Sequence, residues 1–354
     1  MKEMKWDLDD IVLVPSEESD IESRNDCDTY TLFKKILKRG GWRSLPLMAS
    51  PMDTVVCKEN YKLFINNGII PCIPRGQIMQ SSISGMSNLY FQSYGLCDIE
   101  TQLHSNDTDE HYFYKYPNIL IDIANGHMSK LIDIIKEIKK RWPEINLMVG
   151  NVANPETFVN LGMAGADYVR CSIGTGAGCT TAANVSINYP LGSLISECAL
   201  AKKQYGLNTK IVADGGMRNY SDIIKALGCG SDYCMCGSIF NKSIESAGFN
   251  YLFKIKINKK MAEALWKWGF PVKKKYRGMS TKAVQRSWGK TNLVTAEGIT
   301  KYQNVEYTLE QWTENFKDYL KSAMSYCNAK TLNDFIGKVN YIFITSASRN
   351  RFEK

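Results

Sequence analysis

The sequence predicts an α/β protein whose parallel strands close into a (β/α)8, or TIM, barrel. It reads as a single domain over 1–354, with a flap after the last barrel strands and a C-terminal helix. Three observations carry this expectation. Eight short apolar runs recur along the chain, helical periodicity fills several of the gaps between them, and Gly, Asp and Asn gather just after the runs. Near-continuous apolar strands belong to a sheet covered on both faces, and strand–helix alternation makes that sheet parallel. An open doubly wound sheet shares these features, but the count of eight favours closure.

In chain order the runs are Leu45 to Ala49, Ile69 to Ile73, Leu89 to Gln92, Ile119 to Ala124, Leu147 to Gly150, Tyr168 to Ile173, Ile211 to Ala213 and Tyr233 to Cys236. The clearest helix is Lys130 to Arg141, where Leu131, Ile134, Ile135 and Ile138 make one apolar face. Ser193 to Tyr205 and Ser221 to Leu227 are further helices. From Lys254 the pattern turns Lys-rich and aperiodic, which predicts a mobile flap over 276–297. Leu309 to Tyr326 returns to a helix, with Trp312, Phe316, Leu320 and Ala323 on one side.

Composition narrows the function. The charge is modest, 44 Lys and Arg against 36 Asp and Glu, and the basic residues are not clustered as nucleic-acid binders have them. Anionic small molecules are the expected partners. No run approaches the roughly 18 apolar residues of a membrane span, and Met1 to Asp7 lacks the apolar core of a signal peptide, so a cytoplasmic protein with no membrane partner is expected. Eleven scattered Cys fit a reducing compartment without structural disulfides. Cys229, Cys234 and Cys236 have no CxxC pair or nearby His and read as core rather than a metal cluster.

Chemistry concentrates in three segments. Gly174-Thr175-Gly176-Ala177-Gly178-Cys179-Thr180-Thr181 lets the backbone pass close to a ligand while carrying a thiol at the loop tip. It lacks the spacing of a dinucleotide fingerprint, which leaves a catalytic thiol or a tight loop with a buried Cys. Asp214-Gly215-Gly216 and Cys236-Gly237-Ser238 end consecutive strands, where a barrel builds its phosphate cradle.

The chain resembles the IMP dehydrogenase and GMP reductase family. The matching stretches are Trp6 to Pro15, Ser50-Pro51-Met52-Asp53-Thr54-Val55, Asp122-Ile123-Ala124-Asn125-Gly126-His127, Gly150-Asn151-Val152, the Cys179 loop, Asp214-Gly215-Gly216, Tyr276-Arg277-Gly278-Met279-Ser280 and Glu297-Gly298. The resemblance implies that Cys179 attacks C2 of a purine nucleoside 5′-monophosphate and that a nicotinamide cofactor exchanges hydride there. Thr181, Glu297 and Asp122 would share the catalysis. It places Asp214, Gly216, Gly237, Ser238 and Tyr276 at the phosphate, and Ser50, Met52, Asn151, Arg170, Met279 and Ser280 around the nucleotide. Arg75, Asp122 and Asn125 would meet the cofactor, carbonyls of Gly174, Gly176 and Cys179 would hold potassium, and four copies would form a tetramer. Ala177 stands where many relatives carry a phosphate-contacting Ser.

Reductase and dehydrogenase differ in how the adduct is resolved. The Arg-Tyr pair by which dehydrogenases activate water is absent: between Met279 and Glu297 there is no Tyr, and Arg286 precedes Ser287. The 46 residues between Arg75 and Asp122 are fewer than the about 50 a small domain needs, so the regulatory CBS modules of most dehydrogenases have no room there. Arg170 and Tyr276-Arg277-Gly278-Met279 are closer to dehydrogenases, Arg75 stands where reductases carry Lys, and Val294-Thr295-Ala296 replaces the basic residue that reductases have just before Glu297. The balance favours an NADPH-dependent GMP reductase. An IMP dehydrogenase without CBS modules, using NAD, and a catalytically silent nucleotide sensor are the alternatives.

Overall fold

The computed structural model describes residues 4–33, 42–77, 79, 89–105, 116–287, 291–292 and 295–352. Eight parallel strands close into a barrel: β1 (Leu47–Ala49), β2 (Ile70–Ile73), β3 (Phe91–Tyr94), β4 (Asn118–Asp122), β5 (Asn146–Val152), β6 (Tyr168–Cys171), β7 (Lys210–Asp214) and β8 (Tyr233–Cys236). The ring is completed where Cys234 of β8 pairs with Leu47 of β1. Each predicted run contributes one strand, so the protein is a TIM barrel.

Side chains along these strands point alternately in and out. Ile119 and Ile121 of β4 join the layer beneath the helices, whereas Leu120 faces the barrel interior with Met48, Phe91, Met148, Tyr168, Val212 and Met235. At the mouth where the strands begin, a hairpin of Thr31–Leu32 with Arg43–Ser44 brings in Phe33. Its ring lies 5.8 Å from Phe91 and 6.3 Å from Tyr168, closing that end.

The outer helices follow the expected chemistry. Helix α1 (Ser129–Arg141) buries Leu131, Ile134, Ile135 and Ile138, and its last turn carries Lys139, Lys140 and Arg141 against the negative end of the helix dipole. Helix α2 (Pro155–Ala164), not anticipated from periodicity, has both of its ends written in sequence. Asn154 accepts from the Glu156 and Thr157 amides, Pro155 opens the first turn, and Gly165 ends it in a left-handed conformation. Helices α3 (Leu191–Gln204) and α4 (Tyr220–Gly228) match predicted segments.

Among its described residues, the stretch read as aperiodic carries short regular elements. Strands β9 (Asn250–Leu252), β10 (Ile255–Ile257), β11 (Lys273–Arg277) and β12 (Thr300–Asn304) form an antiparallel sheet in the order β10-β9-β11-β12, with helix α5 (Lys259–Lys267) between β10 and β11. The strands have three to five residues, and alternation in β11 is hidden because one of its two buried residues, Lys274, is itself a lysine. The expected flap thus starts as the end of β11 and continues as helix α6 (Lys282–Ser287); its residues 288–290 and 293–294 lie outside the described residues. Helix α7 (Leu309–Tyr326) has the bounds expected of it and buries Trp312, Phe316 and Leu320.

Candidate active site

The strand ends and the small sheet enclose a cavity of about 440 Å³. Its wall contains Ser50 and Met52 after β1, Arg75 after β2, Asp122 at the end of β4, Asn151 in β5, Arg170 in β6, Asp214 and Gly216 at the end of β7, and Gly237 and Ser238 after β8. The loop after β6 adds Gly174, Gly176, Ala177, Cys179 and Thr181, and the sheet side adds Tyr276, Met279, Ser280 and Glu297. The single expected residue outside the wall is Asn125, which is exposed and accepts the His127 amide at 3.1 Å. Gln285 and Thr295 also line the cavity and were not anticipated. Gln285 is buried and donates to the Ser280 carbonyl at 3.2 Å; nothing in its local sequence marks it.

The floor is a charge network. Arg170 donates from Nη1 to Asp122 at 2.6 Å, and from Nη2 and Nε to Asp214 at 2.8 and 3.1 Å. Asn151 donates to the same Asp214 oxygen at 2.7 Å, and Arg75 approaches the other Asp122 oxygen at 3.3 Å. Burial works against the guanidinium charge of Arg170, but Asp214 and Asp122 outweigh it and hold the group protonated. Gly150 makes this packing possible: a Cβ there would stand 2.7 Å from the Arg170 carbonyl, at a φ of +141°. Tyr276 closes the side of the cavity, its phenol pushed above the usual range by burial, so its hydroxyl stays neutral.

Opposite the floor, three side chains form a line. The Cys179 thiol donates to Thr181 Oγ1 at 3.2 Å, and Thr181 donates to Glu297 Oε2 at 2.5 Å. Backbone pairing holds the line in place: Thr180 N–H donates to the Glu297 carbonyl at 2.8 Å, and Ile299 N–H to the Gly178 carbonyl at 3.0 Å. The thiol loop is thereby an added edge of the small sheet, beside the segment leading into β12. Cys229, Cys234 and Cys236, by contrast, are packed in the core, where burial pushes the Cys229 and Cys234 thiols up to about 12.

A cavity at the strand ends of a TIM barrel holds a thiol, a hydroxyl and a carboxyl in hydrogen-bonded sequence, and the chain around it matches a family model. The IMP dehydrogenase / GMP reductase domain matches residues 114–352. The chain belongs to this family. The GMP reductase of Caenorhabditis elegans is 28% identical over 359 residues, covering 99% of this chain and 95% of that protein. The GMP reductase of Vibrio vulnificus is 26% identical over 367 residues, covering 100% and 98%. The inosine-5′-monophosphate dehydrogenase of Chlorobaculum parvum is 32% identical, but over 229 residues, 65% of this chain and 45% of that protein. The chain thus spans about half the length of that dehydrogenase and nearly all of the reductases, which makes it a GMP reductase-like member of this oxidoreductase family of purine metabolism. The family binds purine nucleotides and uses NAD(P). Among the described residues, no helix is long and apolar enough to cross a membrane.

Proposed function

We propose that the protein is a GMP reductase, converting GMP to IMP and ammonia with NADPH as reductant in purine nucleotide salvage. The observation that carries this reading is the line Cys179–Thr181–Glu297 along one wall of the cavity. Cys179 attacks C2 of the purine and forms a C–S bond while its proton passes through Thr181 to Glu297. The carboxyl, now neutral, gives a proton to the amino group, which departs as ammonia and leaves a thioimidate. The nicotinamide, when bound, supplies hydride at that carbon. Breaking the C–S bond then releases IMP and the thiolate.

The other site residues take supporting roles in this reading. Gly216, Gly237 and Ser238 cradle the phosphate beside Tyr276; a Cβ on Gly237 would stand 2.9 Å from Met52 Sδ and 3.2 Å from the Tyr276 hydroxyl, space that a phosphate oxygen needs. Asp214 stands with them at the phosphate, and Ser50, Met52, Asn151, Arg170, Met279 and Ser280 surround the nucleotide. Arg75 and Asp122 offer a cation and an acceptor to the cofactor, and Asn125, beyond the wall, meets the part of it that leaves the cavity. The carbonyls of Gly174, Gly176 and Cys179 are the neutral oxygen donors that potassium takes; that of Gly176 accepts the Cys179 amide at 2.8 Å and retains a second lone pair. A cytoplasmic homotetramer belongs to the same reading.

The test is an assay of purified protein, with potassium present, comparing GMP plus NADPH with IMP plus NAD at the nicotinamide absorbance band. Consumption of NADPH with GMP is expected. Turnover of IMP with NAD alone would replace the reading by a dehydrogenase, and nucleotide binding without either turnover by a sensor.

A further inference from the structure

The loop after β1 and the strand β11 are joined by contacts that the chemistry above does not use. Arg277, the last residue of β11, meets Asp53 bidentately: Nε lies 3.1 Å from both carboxylate oxygens and Nη2 contacts Oδ2 as well. Both side chains are about four-fifths buried. Next to this ion pair, Asn241 donates to the Thr54 carbonyl at 2.8 Å and the Lys275 carbonyl at 3.1 Å, and Gln303 of β12 donates to Asn241 Oδ1 at 2.9 Å. One side-chain clasp therefore fastens the residues that follow Ser50 and Met52 to strands β11 and β12 of the small sheet.

The far side of that sheet holds the thiol. Gly278 N–H donates to the Ile299 carbonyl at 3.0 Å, Ile299 N–H donates to the Gly178 carbonyl, and Cys179 bridges Gly298. Contact is so close that a Cβ on Gly278 would run into the Gly178 carbonyl. Rigid backbone pairing thus runs from Arg277 across Ile299 to Cys179, and Asp53 is where it is tied back to the nucleotide side of the barrel.

We propose that Asp53 and Arg277 are positioning residues, which set the distance between Cys179 and the nucleotide seated against Ser50 and Met52. The bidentate geometry matters more than the charge, because a planar guanidinium fixes direction where an ammonium does not. Neither residue touches the reacting atoms. The inference rests on Cys179 as the reacting thiol and is indifferent to which purine it attacks.

The test uses Asp53→Asn, Arg277→Lys and their double variant in the full chain. Both single changes keep size, and Arg277→Lys keeps charge. In each, kcat for whichever nucleotide and cofactor pair the parent turns over should fall about tenfold, with KM for the nucleotide within threefold and no further loss in the double variant. Alkylation of Cys179 by iodoacetamide in ligand-free protein should accelerate at least threefold in both single variants, again without addition in the double. An unchanged kcat, an unchanged alkylation rate, or losses that multiply in the double variant would each overturn the proposal. The alkylation rate needs no substrate, so it judges the clasp even if the parent turns over neither GMP nor IMP.

Discussion

Thr181 Oγ1 lies 2.5 Å from Glu297 Oε2, although the two residues are 116 positions apart in the chain. The hydroxyl receives the Cys179 thiol on one side and gives to the carboxylate on the other, so a single proton can travel the line in either direction. That relation, rather than any one residue, is what the predictions below probe.

Cys179→Ala should abolish turnover while nucleotide affinity stays within a few-fold, because glycine backbone and the charged floor make the site and the thiol makes the bond. Mass spectrometry of protein trapped with substrate and cofactor should find the adduct on Cys179. An adduct on another cysteine would sink the mechanism.

Glu297→Gln keeps the hydrogen bond to Thr181 but cannot take or return the proton. Deamination of GMP should drop by about 10²-fold or more, the usual worth of a general acid. Isotope exchange between reduced and oxidised cofactor in the presence of IMP requires no departing amine and should fall much less. Equal losses in both assays would remove Glu297 from the deamination step.

The phosphate should be indispensable for rate as well as affinity, since binding energy away from the reacting carbon positions the ring. Guanosine is the comparison substrate. A kcat with guanosine close to that with GMP would reduce Gly216, Gly237 and Ser238 to ordinary turns.

Arg170→Met should be strongly destabilising, because it takes from Asp122 and Asp214 the guanidinium they share in a buried floor; breaking a buried pair this way costs about 3–5 kcal/mol. Urea unfolding of the variant measures it. Adding Asp214→Asn to Arg170→Met should recover part of the loss, and a double variant less stable than the single one would contradict the charge argument.

Lys274 sits beneath the small sheet with its ammonium on the Ser246 and Gly248 carbonyls, and burial, with Lys259 nearby, holds its pKa down to about 7. An unfolded lysine keeps its proton to about pH 10.4. Between those values the unfolded chain binds a proton that the folded chain lacks, so stability rises with pH. Lys274→Met should flatten that rise and melt several degrees higher at pH 7. Thermal melts from pH 7 to 10 decide it: a slope that survives in the variant belongs to another group.

The barrel was legible because each of its strands is a contiguous apolar run, and runs of that kind are local. Helix α7 was legible to the residue, since Trp312, Phe316 and Leu320 recur at helical spacing and Thr308 caps the start. Strand β3 came out two residues later than the run from Leu89, because an unbroken apolar stretch does not say where pairing begins. The small sheet escaped notice for the reason seen in β11, where lysine occupies one inward position as well as two outward ones. The site was legible as motifs, not as contacts. Asp53 and Arg277 each sat in a recognised stretch, but an ion pair across 224 residues leaves no periodicity to read. Asn125 shows the converse: motif membership did not bring its side chain into the wall.

The support of the thiol by the sheet edge also bears on how the enzyme comes into being. All eight barrel strands have been translated once Cys236 is made, whereas Glu297 and the segment that pairs with the Cys179 loop emerge from the ribosome afterwards. A growing chain can therefore build its barrel, and the glycine turns at its rim, while the nucleophile still lacks both its proton acceptor and its neighbouring strand. Competence for chemistry arrives after the ring of strands that will contain it.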